Sequence, residues 1–269
     1  MEDVSVADTE IGIIDRIFLR GCKEIPDRNS AEQRTEYETG QEMDPLRHVR
    51  TWYGPEFELT LNQRVFCDFG CGGGFVPLQA AELGALKAYG VDIYPAKFAG
   101  AQQKARERGL PVEYVTSADQ MPTGSVDVAL SQNSFEHFQD PAAILDGIFA
   151  MLKPGGTFYC HFGPPWKHPF GVHHYFMVRW PWMHLLFSEE RFMRWRPHFR
   201  PHENNHGKTR WHHTGLNCMT LRRFEELAKQ SGFRMHSLKL HAVGGIPEPI
   251  ARLFREYLTS HVVAVLVKP

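Results

Sequence analysis

The chain of 269 residues has no run of apolar residues approaching the ~20 needed to cross a bilayer as a helix. Cysteine is sparse as well. Cys22, Cys67, Cys71, Cys160 and Cys218 are scattered, odd in number and never spaced as C-x-x-C. This pattern argues against a disulfide framework and for a reducing compartment. Charge of one sign is also missing: 30 Lys and Arg stand against 31 Asp and Glu, a net −1. No global field therefore draws the chain to nucleic acid or to an anionic membrane. The start, Met1-Glu2-Asp3-Val4, lacks the basic-then-apolar pattern of a secretory leader. There is no internal repeat and no low-complexity tract. A soluble cytoplasmic protein is expected, long enough to bury one sizeable core, or a core with a cap.

What is present is alternation. From position 64 short apolar runs alternate with helical periods, the signature of βαβ units and a parallel sheet. Strands are predicted near 64–69, 87–92, 112–116, 126–131 and 157–162. A helix over 141–152 is marked by Asp140 as N-cap, Pro141 in the first turn, and Ile144, Leu145, Ile148, Met151 and Leu152 on one face. Pro154-Gly155-Gly156 should stop it and turn the chain into the next strand. Thr220 should cap a helix carrying Leu221, Phe224, Leu227 and Ala228, ended by Gly232. Strands near 233–241 and 262–267, joined through a helix around 248–258, complete the pattern. Before the core, Ile11, Ile13, Ile14, Ile17 and Phe18 suggest a helix with one apolar face.

The richest segment is Val65-Phe66-Cys67-Asp68-Phe69-Gly70-Cys71-Gly72-Gly73-Gly74, an apolar strand ending in an acid and four glycines. Glycine opens backbone angles closed to other residues and brings no Cβ between main chain and ligand. The G-x-G-x-x-G pattern of dinucleotide sites fails at its third glycine, where Phe75 stands. D-x-G-x-G-x-G fits, through Asp68, Gly70, Gly72 and Gly74. An acid at this place repels a pyrophosphate and suits a ligand carrying an ammonium group and a sulfonium. Asp92, after Ala88-Tyr89-Gly90-Val91, stands where an acid grips ribose hydroxyls, for NAD as well as for other nucleosides.

Four blocks in order, VFCDFGCGGG at 65–74, YGVDI at 89–93, SADQMP at 117–122 with VDVALSQNSFEH at 126–137, and MLKPGG at 151–156, resemble the class I S-adenosylmethionine-dependent methyltransferases, in particular their small-molecule and lipid branch. The resemblance is close over residues 60 to 162 and loose over 219 to 267. It implies an α/β, doubly wound, Rossmann-like sheet of seven mostly parallel strands with the last antiparallel. Four regions follow: an N-terminal helical lid at 1–60, an S-adenosylmethionine-binding core at 61–162, an inserted substrate cap at 163–219, and the rest of the core sheet at 220–269. N-terminal helices in this family often close over the cofactor.

The resemblance also implies roles. Asp68, Gly70, Cys71, Gly72 and Gly74 would hold the methionine part of S-adenosylmethionine, and Asp92 its ribose. Ile93, Ala118, Asp119 and Gln120 would meet adenine, and Ser131, Gln132 and Asn133 would line the methyl-transfer channel. The implied reaction is methylation of a small or lipid-like molecule, at oxygen, with a histidine as general base. His173 and His174 in the cap come first, then His137, which the family commonly has in that block; His161 is weaker. Other readings stay open: a metal-assisted enzyme using cap histidines, an NAD-dependent oxidoreductase, or a catalytically idle cofactor-binding regulatory subunit.

After Phe162 the alternation lapses until Thr220, and the intervening segment concentrates aromatic residues and nine histidines. A segment of this length inside a compact domain suits a lid or binding element beyond the strand ends. Within it, His202-Glu203-Asn204-Asn205-His206 matches H-E-x-x-H, but Pro201, two asparagines and Gly207 make a poor helix, and no metal ligand is assigned there. Gly163-Pro164-Pro165-Trp166 follows the fifth strand and not the fourth, which disfavours adenine-N6 methylation, and no nucleic-acid partner is expected. Arg179, Arg191, Arg194, Arg196 and Arg200, mixed with bulky apolar residues, fit peripheral contact with a lipid surface, an acidic substrate group, or a solvated helix face.

Overall fold

β1 (Val65–Phe69), β2 (Lys87–Val91), β3 (Val112–Val115), β4 (Val126–Gln132), β5 (Leu152–Phe162), β6 (Arg234–Ala242) and β7 (Thr259–Val267) form one sheet in the order β3-β2-β1-β4-β5-β7-β6. The structure is a computed structural model and describes residues 12–20, 44–173, 180–199 and 208–269. β1 to β5 pair in parallel, and β7 runs antiparallel between β5 and β6. Parallel strands are covered on both faces, which is why β1 reads as a continuous apolar run interrupted only by Asp68. The chain reverses its winding between β1 and β4, and their carboxyl ends frame the crevice in which such sheets bind ligands.

Two cores flank the sheet. On one face the helices Pro141–Met151 and Leu221–Gln230 pack Leu145, Ile148, Met151, Leu221, Phe224 and Ala228 against β4, β5 and β7. Their starts are fixed by the caps read from sequence: Asp140 accepts the amide of Ala143 at 3.0 Å and Thr220 that of Arg223 at 3.1 Å. On the other face the helices Arg47–Tyr53, Glu56–Leu59 and Phe75–Glu82 bury Val49, Phe57, Ala80 and Ala81 against Phe66, Val128 and Leu130. A fully buried phenylalanine such as Phe57 is worth about 1.5–3 kcal/mol relative to exposure. At the amino edge Asp127 accepts the Val65 amide at 2.9 Å and pairs with Lys153 at 2.8 Å, tying β1, β4 and β5 together.

Two expectations need correction. Pro154-Gly155-Gly156 does not separate helix from strand: β5 already starts at Leu152. The reason lies in β7, whose extension Lys268 exchanges hydrogen bonds with Gly155 and Gly156 and keeps the turn in the sheet as an irregularity of register. The segment 248–258 is two short helices, Glu248–Leu253 and Arg255–Leu258, broken at Phe254. The expected amino-terminal helix is present at Ile13–Phe18, with Ile13, Ile14 and Ile17 80%, 58% and 65% exposed. Ile11 lies outside the described residues.

That helix rests on the inserted segment. Phe18 meets Phe187 edge-on at 4.8 Å, and Asp15 pairs with Arg191. The insert has its own core of Val172, Met183, Phe192, Met193, Trp195 and Trp211, joined by Leu19. Phe192, Met193 and Trp195 come from the helix Glu189–Phe199, whose Arg191 lies over the rings of Phe187 and Trp195. The H-E-x-x-H stretch, His174, Arg179 and Arg200 lie outside the described residues.

Candidate active site

The bend after β1 is built from left-handed glycines, Gly70, Gly72 and Gly74, with φ of 83°, 50° and 76°. Two of them face protein. A Cβ on Gly70 would meet Ser134 Oγ at 2.6 Å, and one on Gly74 would meet Tyr114 Cε1 at 2.6 Å. Gly72 differs, because a Cβ there meets nothing within 4 Å. The bend therefore presents bare backbone to open space at Gly72, where a ligand can approach the main chain.

Asp68 lies under this opening, 3% exposed, with Oδ1 lacking a partner among the described residues. Burial, followed by the charge of Asp92, pushes its carboxyl up to about 7. An unmatched carboxylate oxygen in a dry site is costly and awaits a donor. Asp92, at the tip of β2, accepts the Gly72 amide at 3.0 Å and the Tyr94 amide at 2.9 Å. Cys71 is buried in the bend, and the carboxylates around it reinforce the effect of burial in keeping it a thiol.

The other predicted contacts lie at and just beyond the carboxyl ends of β2, β3 and β4. Ile93, directly after Asp92, is 71% exposed. Ala118, Asp119 and Gln120 form a single 3-10 turn, in which Gln120 Oε1 accepts the Thr116 amide at 2.8 Å while Asp119 stays exposed. Ser131 is fully buried, its Oγ without a partner among the described residues, on the face away from Gln132. Asn133 takes a left-handed φ of 46°, and its amide donates to the carbonyl of His161 at 2.9 Å.

Two of the three histidines predicted as bases come together. His137 and His173 stand edge to face, ring centroids 5.7 Å apart. Each has one nitrogen committed to a backbone carbonyl: His137 Nδ1 donates to Gly215 at 2.8 Å, and His173 Nε2 to Pro164 at 2.9 Å. Burial lowers His173 to about 4 despite that bond. The third member of the group escaped the sequence reading. Glu136 is 4% exposed, accepts the Gly163 amide through Oε1 at 3.3 Å, and leaves Oε2 unmatched among the described residues. Glu136, His137 and His173 each offer a ligand atom within 4.8 Å of the others. An acid beside the histidine of the SFEH block was the available signal. Nothing in the linear order could show His173 arriving from the cap.

A doubly wound sheet with β7 antiparallel, an acid below an open glycine bend and a second acid at the tip of β2 defines the class I methyltransferase architecture. Residues 67–160 match the methyltransferase domain family. The chain is similar to the ubiquinone biosynthesis O-methyltransferase of Methylococcus capsulatus, 31% identical over 135 residues, covering 42% of this chain and 56% of that protein. The enzyme of that name from Cereibacter sphaeroides is 38% identical over 130 residues, with 44% and 52% covered. The chain thus spans about half the length of the curated relatives it matches. In fold it is similar to an S-adenosylmethionine dependent methyltransferase from Mesorhizobium loti, with a TM-score of 0.53, 17% identity, and 77% of this chain and 92% of that one covered. No helix among the described residues is long and apolar enough to cross a membrane.

Proposed function

We propose that this chain methylates an oxygen of a small or lipid-like molecule, using S-adenosylmethionine. The observation that carries the reading is the pairing of a ligand-facing bare backbone at Gly72 with the buried, unmatched Asp68 carboxyl. That donor set suits an amino acid attached to a nucleoside: Asp68 takes the ammonium, the bend takes the carboxylate side, and Asp92 takes the ribose hydroxyls. Ile93 covers one face of the base, and the turn Ala118–Gln120 meets its edge. The names of the curated relatives, O-methyltransferases of ubiquinone biosynthesis, support oxygen as acceptor.

Bound there, the cofactor supplies a methyl on a sulfonium, which departs as a neutral thioether when an oxygen lone pair takes the methyl carbon. The chain's own work is alignment, exclusion of water and removal of one proton. Burial holds His173 too low to be an effective base, so the proton goes to His137 Nε2, the nitrogen not committed to Gly215. His173 then orients its neighbour. Labelled methyl transfer to extract components, lost in Asp68→Ala and Gly72→Val, tests the reading; calorimetric binding of NADH with no binding of S-adenosylhomocysteine would remove it.

A second reading has its own observation. Glu136, His137 and His173 are spaced to hold a divalent ion, and both histidines have their outer nitrogens fixed by carbonyls, as metal-bound imidazoles do. A metal there would lower the acceptor's hydroxyl pKa and replace the base.

A further inference from the structure

Asp68 of β1, Gly90 of β2 and Tyr114 of β3 stand in one row across the sheet, each in register with the next. Side chains alternate along strands, so paired residues of neighbouring strands face the same side. Gly90 has no side chain to place there, and the ring of Tyr114 takes the space. A Cβ on Gly90 would meet Tyr114 Cδ1 at 2.6 Å and Cε1 at 2.8 Å. The ring thus crosses β2 and reaches the bend after β1, where its hydroxyl donates to the carbonyl of Gly74 at 2.6 Å.

This bond is well made and sheltered. Tyr114 is buried, and Phe98 of the helix Pro95–Glu107 stacks on it with ring centroids 5.2 Å apart and planes 16° apart. Burial, with smaller contributions from Cys71 and Asp68, pushes the phenol above its ordinary range, so it remains a donor.

Gly74 is the last residue of the bend and the N-cap of the helix Phe75–Glu82, and its own amide closes the turn on the Cys71 carbonyl at 2.9 Å. A grip on the Gly74 carbonyl therefore fixes the peptide that joins bend to helix, and with it the direction in which the bare backbone at Gly72 faces. The bend is held at two points: Asp92 takes the Gly72 amide, and Tyr114 takes the Gly74 carbonyl.

The end of β3 reaches the nucleoside side of the crevice as well, but through other atoms. The Val115 carbonyl accepts the Asp92 amide at 3.2 Å, and the Thr116 amide donates to Gln120 at 2.8 Å. Neither bond uses the Tyr114 side chain. Loss of the hydroxyl should accordingly be felt at one end of the cofactor and not at the other. We propose that Tyr114 is a positioning residue for S-adenosylmethionine: its hydroxyl, carried across Gly90, holds the glycine bend in the shape that receives the amino-acid end of the cofactor. The inference rests on the proposed placement of that end over the bend.

The test compares S-adenosylhomocysteine with methylthioadenosine, which keeps the nucleoside and lacks the amino-acid end, by calorimetry on the full chain. Tyr114→Phe should weaken S-adenosylhomocysteine about tenfold or more and methylthioadenosine by less than about twofold. General loosening of the fold would weaken both alike. Phe98→Leu removes the stacked ring but keeps the hydroxyl, so it should lower the melting temperature and leave the ratio of the two affinities unchanged. Gly90→Ala pushes the Tyr114 ring from its place; it should reproduce the imbalance, and it supplies the readout should Tyr114→Phe fail to fold. Unchanged S-adenosylhomocysteine affinity in Tyr114→Phe, or an equal loss for both compounds, would overturn the role. A wild-type chain that binds neither compound would instead remove the cofactor reading. The hold is then read in the empty protein, where backbone hydrogen exchange across the bend should be faster in Tyr114→Phe than in wild type, and equal exchange would overturn it.

Discussion

The carboxylate of Asp92 accepts the amide hydrogen of Gly72 at 3.0 Å, across the gap between β2 and the bend that follows β1. One acid therefore fixes the curvature of the loop and, through its other oxygen, the start of the segment leading into the helix Pro95–Glu107. Replacing Asp92 by Ala should remove loop support and the proposed ribose contact together. Charge-assisted hydrogen bonds of this kind are worth about 1.5–3 kcal/mol each, so affinity for S-adenosylhomocysteine should fall about 10- to 100-fold by calorimetry.

Gly72 and Gly74 share left-handed backbone but should respond differently to substitution. A valine at Gly74 runs into Tyr114, Phe98 and Ala101, and should destabilise the fold beyond the strain of its φ. A valine at Gly72 has room, and should cost only the backbone strain, roughly 1–3 kcal/mol, while standing where the ligand must lie. Thermal melts should therefore show Gly74→Val the more damaged, with S-adenosylhomocysteine binding abolished in Gly72→Val although that variant is folded.

Asp68 gives a pH dependence whose sign can be worked out. Its folded carboxyl sits at about 7, above the ordinary 3.8, so the empty fold prefers the protonated form. Its contribution to stability is complete below about pH 4 and is lost as pH rises through about 7. A ligand ammonium needs the ionised form, so binding must expel that proton at lower pH. S-adenosylhomocysteine should bind about tenfold more tightly at pH 8 than at pH 6, and Asp68→Asn should flatten the profile.

Dialysis against EDTA distinguishes the two proposed ways of removing the acceptor proton. With His137 as base, turnover should survive within about twofold, and His137→Gln should lower it about 100-fold or more with cofactor affinity unchanged. Turnover abolished by EDTA and restored by a divalent ion would transfer the role to a metal on Glu136, His137 and His173.

The strands, the capped helices and the glycine bend were legible because each is encoded locally: a run of apolar residues, a cap such as Asp140 or Thr220, an acid at a strand end; the antiparallel last strand came only with the family resemblance, and the strand order only with the structure. Asp92 and the bend could be placed together since family spacing carries that contact. Glu136 was not recognised, because its burial depends on Gly163 and on Asn217, which anchors the turn by donating its amide to the Glu136 carbonyl at 3.0 Å. The grouping of His161, His241 and His261 under Trp52 was equally hidden. It needs the antiparallel return of β7 to bring His261 beside β5, and a helix ahead of the core to lay Trp52 across both. Local pattern cannot report residues that become neighbours only when distant strands pair. For the same reason the spacing of Ile13, Ile14 and Ile17 marked the helix Ile13–Phe18 and not the surface it meets.

The contacts of Phe18 with Phe187 and of Asp15 with Arg191 fasten the amino-terminal helix to the insert. The two segments, far apart in sequence, are thereby joined mechanically. Trimming the amino-terminal helix should consequently loosen the insert, so its deletion should raise proteolysis within the insert before it lowers the melting temperature of the sheet.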